Sequence, residues 1–530
     1  MPVPRTTRPL LSGPRRVSPA APSPLAPAPA PLDAGHWVAA GGYVRETLPV
    51  RVLQFGTGML LRALPLALLD QANRAGHRAG RALLVQSTGG PAAATLAAQD
   101  GLYTLLARGL VDGAPVDEAR LVGSVAAALP ADGAWAAIVA TATDPALRAC
   151  VSNVTEGAFR LDERDAEAAR RHADGRAPRA FVGKLAALVH ARFEALGDGA
   201  PSLVAIPTEL VDDNGPVLQA MLHEVAAHFP RPDAFRRWLD ARVACCSSLV
   251  DRITTGAPAP DEEEGLSRRL GYRDALLTVT EPFAFWAVEG DPARLHEALP
   301  IDVAAGDAVR YAPSIADARE RKLRLLNGAH TTLAPLALLL GHATVAAAMA
   351  DARVATLLAR LLDDELVPTL ATVAPDDAHR FARAVRDRFA NPSLAHAWRV
   401  IVQNQSIKLR VRVAPALRAQ LAQGRTPLVL ALGLAAHWAR LRHEGASDAD
   451  PAAADAQAHL AGVAAGDVEA MMRAAAALLG DEAAWGGALP APDAFASLVA
   501  TLVVAIERDG AAAVVARVAS GEPHAAGVVA

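Results

Sequence analysis

The run Val50-Arg51-Val52-Leu53-Gln54-Phe55 leads without a gap into Gly56-Thr57-Gly58, and then into the leucine- and alanine-rich stretch from Met59 to Asp70. The first segment reads as a short apolar strand, the glycines as a tight turn and the last segment as a helix. A buried strand that turns directly into a helix is the opening of a doubly wound α/β domain. It leaves backbone N–H groups and the positive helix end free to hold a pyrophosphate, and the glycines let that group approach. A lone Gly-x-Gly is a weak signal, because many strand-to-helix turns use glycine for its φ angle alone. Further strands are expected over Ala82 to Ser87, Ala137 to Thr141, Val151 to Glu156, Leu203 to Ile206 and Phe283 to Glu289. Ligands in open α/β sheets sit at the carboxyl ends of strands, which places Asn153, Thr155 and Glu156 at a cleft. The same residues would also suit the capped start of a helix.

A chain of 530 residues exceeds one core and implies two or three domains. Residues 1–40 are rich in proline and alanine and read as a disordered tail, with prolines interrupting any secretory h-region. Residues 41–314 carry the strand signals, and from 315 to 530 the pattern shifts to long alanine and leucine helices. The expected fold class is therefore α/β, with an N-terminal Rossmann-like dinucleotide-binding domain followed by a mostly α-helical C-terminal domain. A net charge of −4 without a basic stripe, and 4% aromatic residues, argue against a nucleic-acid partner. Three cysteines, two of them adjacent, give no disulfide framework, and no Cys-x2-Cys or His-x3-His spacing suggests a metal. The apolar run from Thr331 to Ala350 contains Pro335 and His342, so a buried helix is expected rather than a membrane span, and a cytoplasmic protein with it.

Only three of the 52 basic side chains are lysines: Lys184, Lys322 and Lys408. In so arginine-biased a chain, a lysine marks a place where guanidinium will not serve. An ammonium can be desolvated until it releases a proton near neutral pH, whereas guanidinium stays charged. Lys322 is followed by Asn327 and His330. At about 100° per residue these fall roughly 140° and 80° around a helix from Lys322, so all three can share a face. A solvated surface helix would carry the same residues.

The decapeptide from Arg321 to His330 resembles the Lys-x4-Asn-x2-His signature of the polyol-specific long-chain dehydrogenase/reductase family, whose members include mannitol 2-dehydrogenase and sugar-acid reductases. Matching blocks are spread over roughly residues 48–440. Gly56-Thr57-Gly58-Met59-Leu60-Leu61-Arg62-Ala63 is similar to the family's G-x-G-x-F-x-R-A, with leucine in place of the aromatic. Ser247 to Thr254 resembles S-x-V-D-R-I, and Arg388-Phe389-Ala390-Asn391-Pro392 resembles R-F-x-N-P. Leu210 stands where polyol-oxidising members have asparagine, as it does in the sugar-acid branch.

The resemblance implies NAD as cofactor, held by Phe55, Gly56, Thr57, Gly58, Leu61 and Arg62 together with Asn153, Thr155 and Glu156. No acid follows the second strand, which ends Gln86-Ser87-Thr88, to take the adenosine ribose. The resemblance further implies Lys322 as general acid/base, Asn327 as oxyanion donor and His330 as the group that positions them. Asp251 would orient Lys322 or bond a substrate hydroxyl, and Arg388 and Lys408 would face the substrate. For the segment around Lys408 a basic helix face is the other reading. The implied reaction interconverts a keto-hexuronate and a hexonate, so the expected partner is a small sugar acid, with no nucleic acid and no membrane. A polyol dehydrogenase of the same family and a non-catalytic dinucleotide-binding sensor are the alternatives.

Overall fold

The computed structural model describes residues 29–445 and 450–521. Six strands form its main sheet: Val50–Phe55 (β1), Arg81–Gln86 (β2), Val125–Pro130 (β3), Ala149–Ser152 (β4), Leu203–Pro207 (β5) and Val243–Cys245 (β6). Their order is β3-β2-β1-β4-β5-β6, and every pair is parallel. β4 and β5 are buried along their whole length, as strands covered by helices on both faces must be. On one face lies the helix Phe181–Leu196, with Leu53, Phe55 and Cys150 beneath it. On the other, Leu61, Leu64 and Leu68 of the helix that follows β1 cover Val52, Leu84 and Val151. The strand order reverses beside β1, so a crevice opens where the carboxyl ends of β1 and β4 diverge.

The expected strand over Ala137 to Thr141 is instead part of the helix Trp135–Ala142. Its buried residues are Trp135, Ile138 and Ala142, spaced three and four apart, which is a helical stripe and not a strand alternation. The strand in this place is β3, in an alanine-rich segment that gave little β signal. The expected tail is also shorter than residue 40. Ala30–Pro31 pairs with Tyr272–Arg273, and Leu32 and Trp37 are buried. The Trp37 indole donates to the Tyr43 carbonyl at 3.0 Å and lies under the Arg74 guanidinium, which holds residues 30–40 against the sheet domain. The remainder of that expectation, residues 1–28, lies outside the described residues.

Two smaller sheets flank the crevice. Ser248–Asp251 pairs with Phe285–Glu289, which pairs with Val309–Ala312. Thr254–Gly256, Thr278–Thr280, Tyr103–Val111 and Ala114–Val122 form the other. Among the described residues no strand follows Ala312, and from Ala316 the chain is helical around an aliphatic core built on Leu333, Leu357 and Leu432. The apolar run after His330 is interrupted: one helix ends at Leu339 and the next begins at Val345. No helix among the described residues is long and apolar enough to cross a membrane.

Candidate active site

The glycine turn closes β1 as its sequence requires. Gly56 adopts φ +115°, and a Cβ there would lie 2.9 Å from Leu61 Cδ1 and 3.2 Å from the Asn153 carbonyl oxygen. Gly58 has open space around it and stands as the first residue before the helix, so the helix end is approachable. The Asn153 backbone N–H donates to the Phe55 carbonyl at 3.2 Å, joining the ends of β1 and β4. These observations fit a dinucleotide pyrophosphate resting on Gly56, Thr57 and Gly58.

Three of the residues expected to touch the cofactor support the turn from behind instead. Phe55 is in the core, edge-on to Phe181 at 5.2 Å. Leu61 is buried beneath Gly56. Arg62 is buried too, and its guanidinium donates to the Thr57 carbonyl at 2.5 Å and to the Thr278 hydroxyl at 3.0 Å. Its positive end is thereby turned to the loop's own oxygen, so it fixes the loop's shape. The family resemblance marked these positions without separating contact from support.

At the carboxyl ends of β4 and β5, Asn153 donates to the Thr208 hydroxyl at 3.0 Å, and Thr155 and Glu156 are exposed beyond it. The acid that organises this loop is Glu209, which the sequence reading passed over. Buried, it accepts from the Val154 backbone N–H at 2.8 Å and the Ser152 hydroxyl at 3.1 Å, and burial raises its carboxyl above the ordinary range. Asn214 and Ser248 continue the chain of contacts: Asn214 donates to the Ser248 carbonyl at 3.3 Å, and the Ser248 hydroxyl donates to Pro207 at 2.5 Å.

That contact brings Ser248–Asp251 to the end of β5, and Lys322 docks on it. The Lys322 ammonium donates to the Val250 carbonyl at 2.8 Å and lies 3.8 Å from an Asp251 carboxylate oxygen, with its side chain 17% exposed. Burial pulls its pKa below the ordinary lysine value; Asp251 opposes this and the charge of Arg388 reinforces it. Immediately along the same segment, Arg252 donates to the Ala63 carbonyl at 2.6 Å, in the helix that starts at the glycine turn. The amine and the turn are thus tied to one stretch of chain.

Arg388 is enclosed. Its guanidinium bonds both Asp251 oxygens at 2.9 and 2.8 Å and both Glu281 oxygens at 2.9 Å, and it covers the Phe283 ring at 4.4 Å. Four of its five donors are engaged with protein carboxylates, so the expectation that Arg388 faces the substrate gives way to one in which it holds Asp251. Burial works to raise the Asp251 carboxyl, but Arg388 and Lys322 hold it below the usual range, leaving it ionised. Glu281, the other carboxylate, lay in no motif that drew attention, and only its contacts reveal it. A cavity of about 790 Å³ abuts this cluster, with Glu281, Arg321 and Arg388 in its wall. Lys322, Asn327 and the glycine turn do not line it.

The helix carrying Lys322 widens at this point: Ala316–Arg321 is α-helical, Lys322–Gly328 is π-helical, and Ala329–Leu339 is α-helical again. In a π turn the repeat is i to i+5, so Asn327 comes round to the side of Lys322 more closely than an α-helix would bring it. The Asn327 carboxamide is half-buried and makes no hydrogen bond among the described residues, whereas its carbonyl accepts from the Thr331 hydroxyl at 2.8 Å. His330 is buried, stacked on Phe389 at 4.1 Å and edge-on to His396 at 5.2 Å. Burial, His396 and Arg388 press its pKa well below the ordinary value, which keeps the imidazole neutral. Lys408 is half-buried, its ammonium donating to the Ile401 carbonyl at 2.8 Å. Among the described residues, no group of three or more His, Cys, Asp or Glu is placed to hold a metal ion.

A strand order of β3-β2-β1-β4-β5-β6, a glycine turn at the switch point and a buried lysine beside a helical domain together define a dinucleotide-dependent dehydrogenase of the Rossmann type. The chain belongs to the mannitol dehydrogenase family: residues 50–301 match its Rossmann domain and residues 315–507 its C-terminal domain. Altronate oxidoreductase of Klebsiella pneumoniae is 36% identical over 412 residues, covering 77% of this chain and 83% of that protein. Altronate oxidoreductase of Bacillus subtilis is 32% identical over 443 residues, covering 83% and 89%. In fold, the chain is similar to a D-sorbitol dehydrogenase in substrate-free form (TM-score 0.70, 20% identity, 88% and 95% covered). It is likewise similar to Pseudomonas fluorescens mannitol 2-dehydrogenase in a ternary complex with NAD and D-mannitol (TM-score 0.61, 24% identity, 94% and 98% covered).

Proposed function

We propose that this chain is an NAD-dependent oxidoreductase that interconverts a keto-hexuronate and the corresponding hexonate, D-tagaturonate and D-altronate being the pair, and that it works in the cytoplasm, where NADH is the available co-substrate. The observation that carries this reading is the desolvated Lys322 amine, held between the Val250 carbonyl and the Asp251 carboxylate at the edge of the crevice. The altronate oxidoreductases among its relatives and the exposed Leu210 beside β5, in place of an asparagine that would bond a polyol, favour the sugar acid over a neutral polyol.

Gly56, Thr57 and Gly58 would hold the pyrophosphate, with Asn153, Thr155 and Glu156 bordering the nicotinamide side. When bound, the nicotinamide supplies the hydride in reduction and accepts it in oxidation. Negative charge grows on the substrate oxygen in reduction, and Lys322 donates a proton to that oxygen. The free Asn327 carboxamide donates a hydrogen bond to the same oxygen as charge develops. His330, neutral and clamped by Phe389, fixes the position of the oxygen without competing for the proton. Asp251 keeps the amine at its post, and Arg388 keeps Asp251 at its own. In the oxidising direction the neutral Lys322 amine takes the hydroxyl proton.

An NADH-oxidation screen over keto-hexuronates and ketohexoses tests the assignment. Turnover on D-tagaturonate above all others is expected. Preferential reduction of D-fructose would transfer the chain to the polyol dehydrogenases, and NADH binding with no turnover on any ketone would make it a sensor.

A further inference from the structure

Resting on the sugar-acid reading, we propose that Arg412 is the residue that binds the substrate carboxylate, forking its two oxygens while Lys408, four residues earlier on the same helix, adds a second positive charge. The π-helical segment Leu409–Val413 packs against the π-helical segment of Lys322: a Cβ added to Gly328 would meet the Arg412 carbonyl oxygen at 3.3 Å. This close approach, which a Cβ at 328 would press apart by a few tenths of an ångström, sets the Arg412 backbone against the segment that carries Lys322 and Asn327. Its guanidinium reaches the Thr331 hydroxyl at 3.5 Å, next in the chain to His330, and its charge is felt by Lys322, His330 and Lys408 alike.

Unlike Arg321, Arg324 and Arg388, Arg412 has no acid among the described residues. Arg321 pairs with Asp377, Arg324 with Glu320, and Arg388 with Asp251 and Glu281. Arg412 is half-buried, its pKa is lowered by burial, and no carboxylate among the described residues lies within ion-pair distance of it or of Lys408. A desolvated, unpaired guanidinium is unfavourable in the free protein, and that penalty is relieved when an anion arrives. The geometry suits a planar carboxylate, because guanidinium offers two parallel donors. A six-carbon acid with its ketone oxygen at Lys322 would then present its carboxylate to the neighbouring helix, whereas a neutral polyol has nothing to offer there.

Arg412→Met and Arg412→Lys, each with NADH binding measured by fluorescence, test this. Removing the fork should raise KM for the keto-hexuronate so that kcat/KM falls about 10- to 100-fold. Activity on the ketohexose of the same stereochemistry should stay within about twofold, so the preference for the acid collapses. Arg412→Lys should recover part of the loss, and millimolar guanidinium should recover part of it in Arg412→Met. A KM for the acid unchanged in Arg412→Met, or an equal loss on acid, ketohexose and NADH, overturns the proposal. Absence of wild-type turnover on every keto-hexuronate instead overturns the reading on which it rests.

Discussion

Lys322 and Asp251 lie 3.8 Å apart, nitrogen to oxygen, beyond hydrogen-bond distance, while Arg388 bonds both Asp251 oxygens. The carboxylate therefore acts on the amine through its field without taking its proton in a short ion pair. Lys322→Ala should lower kcat by about 10²- to 10⁴-fold, the range for a positioned acid or base, while NADH affinity stays near the wild-type value. Steady-state kinetics with NADH fluorescence titration separate the two quantities. Near-normal turnover would remove Lys322 from the chemistry.

The same pair sets a pH dependence. Oxidation of the hexonate needs neutral Lys322, whose pKa lies below the ordinary 10.5, so kcat/KM for oxidation should rise with pH and level off below that value. Asp251→Asn removes the charge that opposes deprotonation and should move the rise to lower pH. A profile that stays in place would show that Asp251 does not tune the amine.

Arg388→Leu leaves Asp251 and Glu281 facing each other in the interior with no cation between them. Breaking a buried pair from one side costs about 3–5 kcal/mol. Urea denaturation at pH 7 should show a loss of that order, and a smaller loss at pH 5, where Glu281, its carboxyl already raised by burial, takes a proton more readily.

Gly56→Ala strains a φ of +115° and drives a methyl to 2.9 Å from Leu61. With roughly 1–3 kcal/mol of strain to relieve, the turn should shift, and the Kd for NADH should rise by about tenfold or more. An unchanged Kd would mean that the pyrophosphate rests elsewhere.

His437, buried in the helix Leu428–Glu444, has its pKa pulled down to about 4 from 6.5, chiefly by desolvation. Between these values the unfolded chain binds more protons than the native one, so this contribution to stability is complete above pH 6.5 and is lost as pH falls toward 4. The loss amounts to roughly 3 kcal/mol. The stability of His437→Leu should fall less steeply over that interval in denaturant titrations.

The strand β1, its glycine turn and the change to helix near residue 315 were legible because each is a local pattern of apolar spacing and turn residues. β3 was not, since Val125-Ala126-Ala127-Ala128 carries little β-branched signal, while the more apolar Ala137 to Thr141 proved to be one turn of a helix pinned by Trp135. At the site, Lys322, Asn327 and His330 were marked by their resemblance to a family signature, but the π turn that carries Lys322 and Asn327 could not be read, because nothing in Lys-Leu-Arg-Leu-Leu-Asn-Gly distinguishes it from an α-helix. Glu281 and Glu209 were silent for another reason: a carboxylate's partners are set by tertiary contact, and a sequence does not show which arginine arrives.

The widened turn from Lys322 to Gly328 also bears on how this gene can change length. A π-helix turns about 80° per residue and an α-helix about 100°, so seven residues wound the first way sweep nearly the same angle as six wound the second. Excising one amino acid from those seven and letting the helix relax to its regular winding would leave the flanking turns within about 30° of their present phase. A one-residue deletion is therefore absorbed at this place in the helix, whereas elsewhere in a regular helix it would swing one end by about 100° against the other.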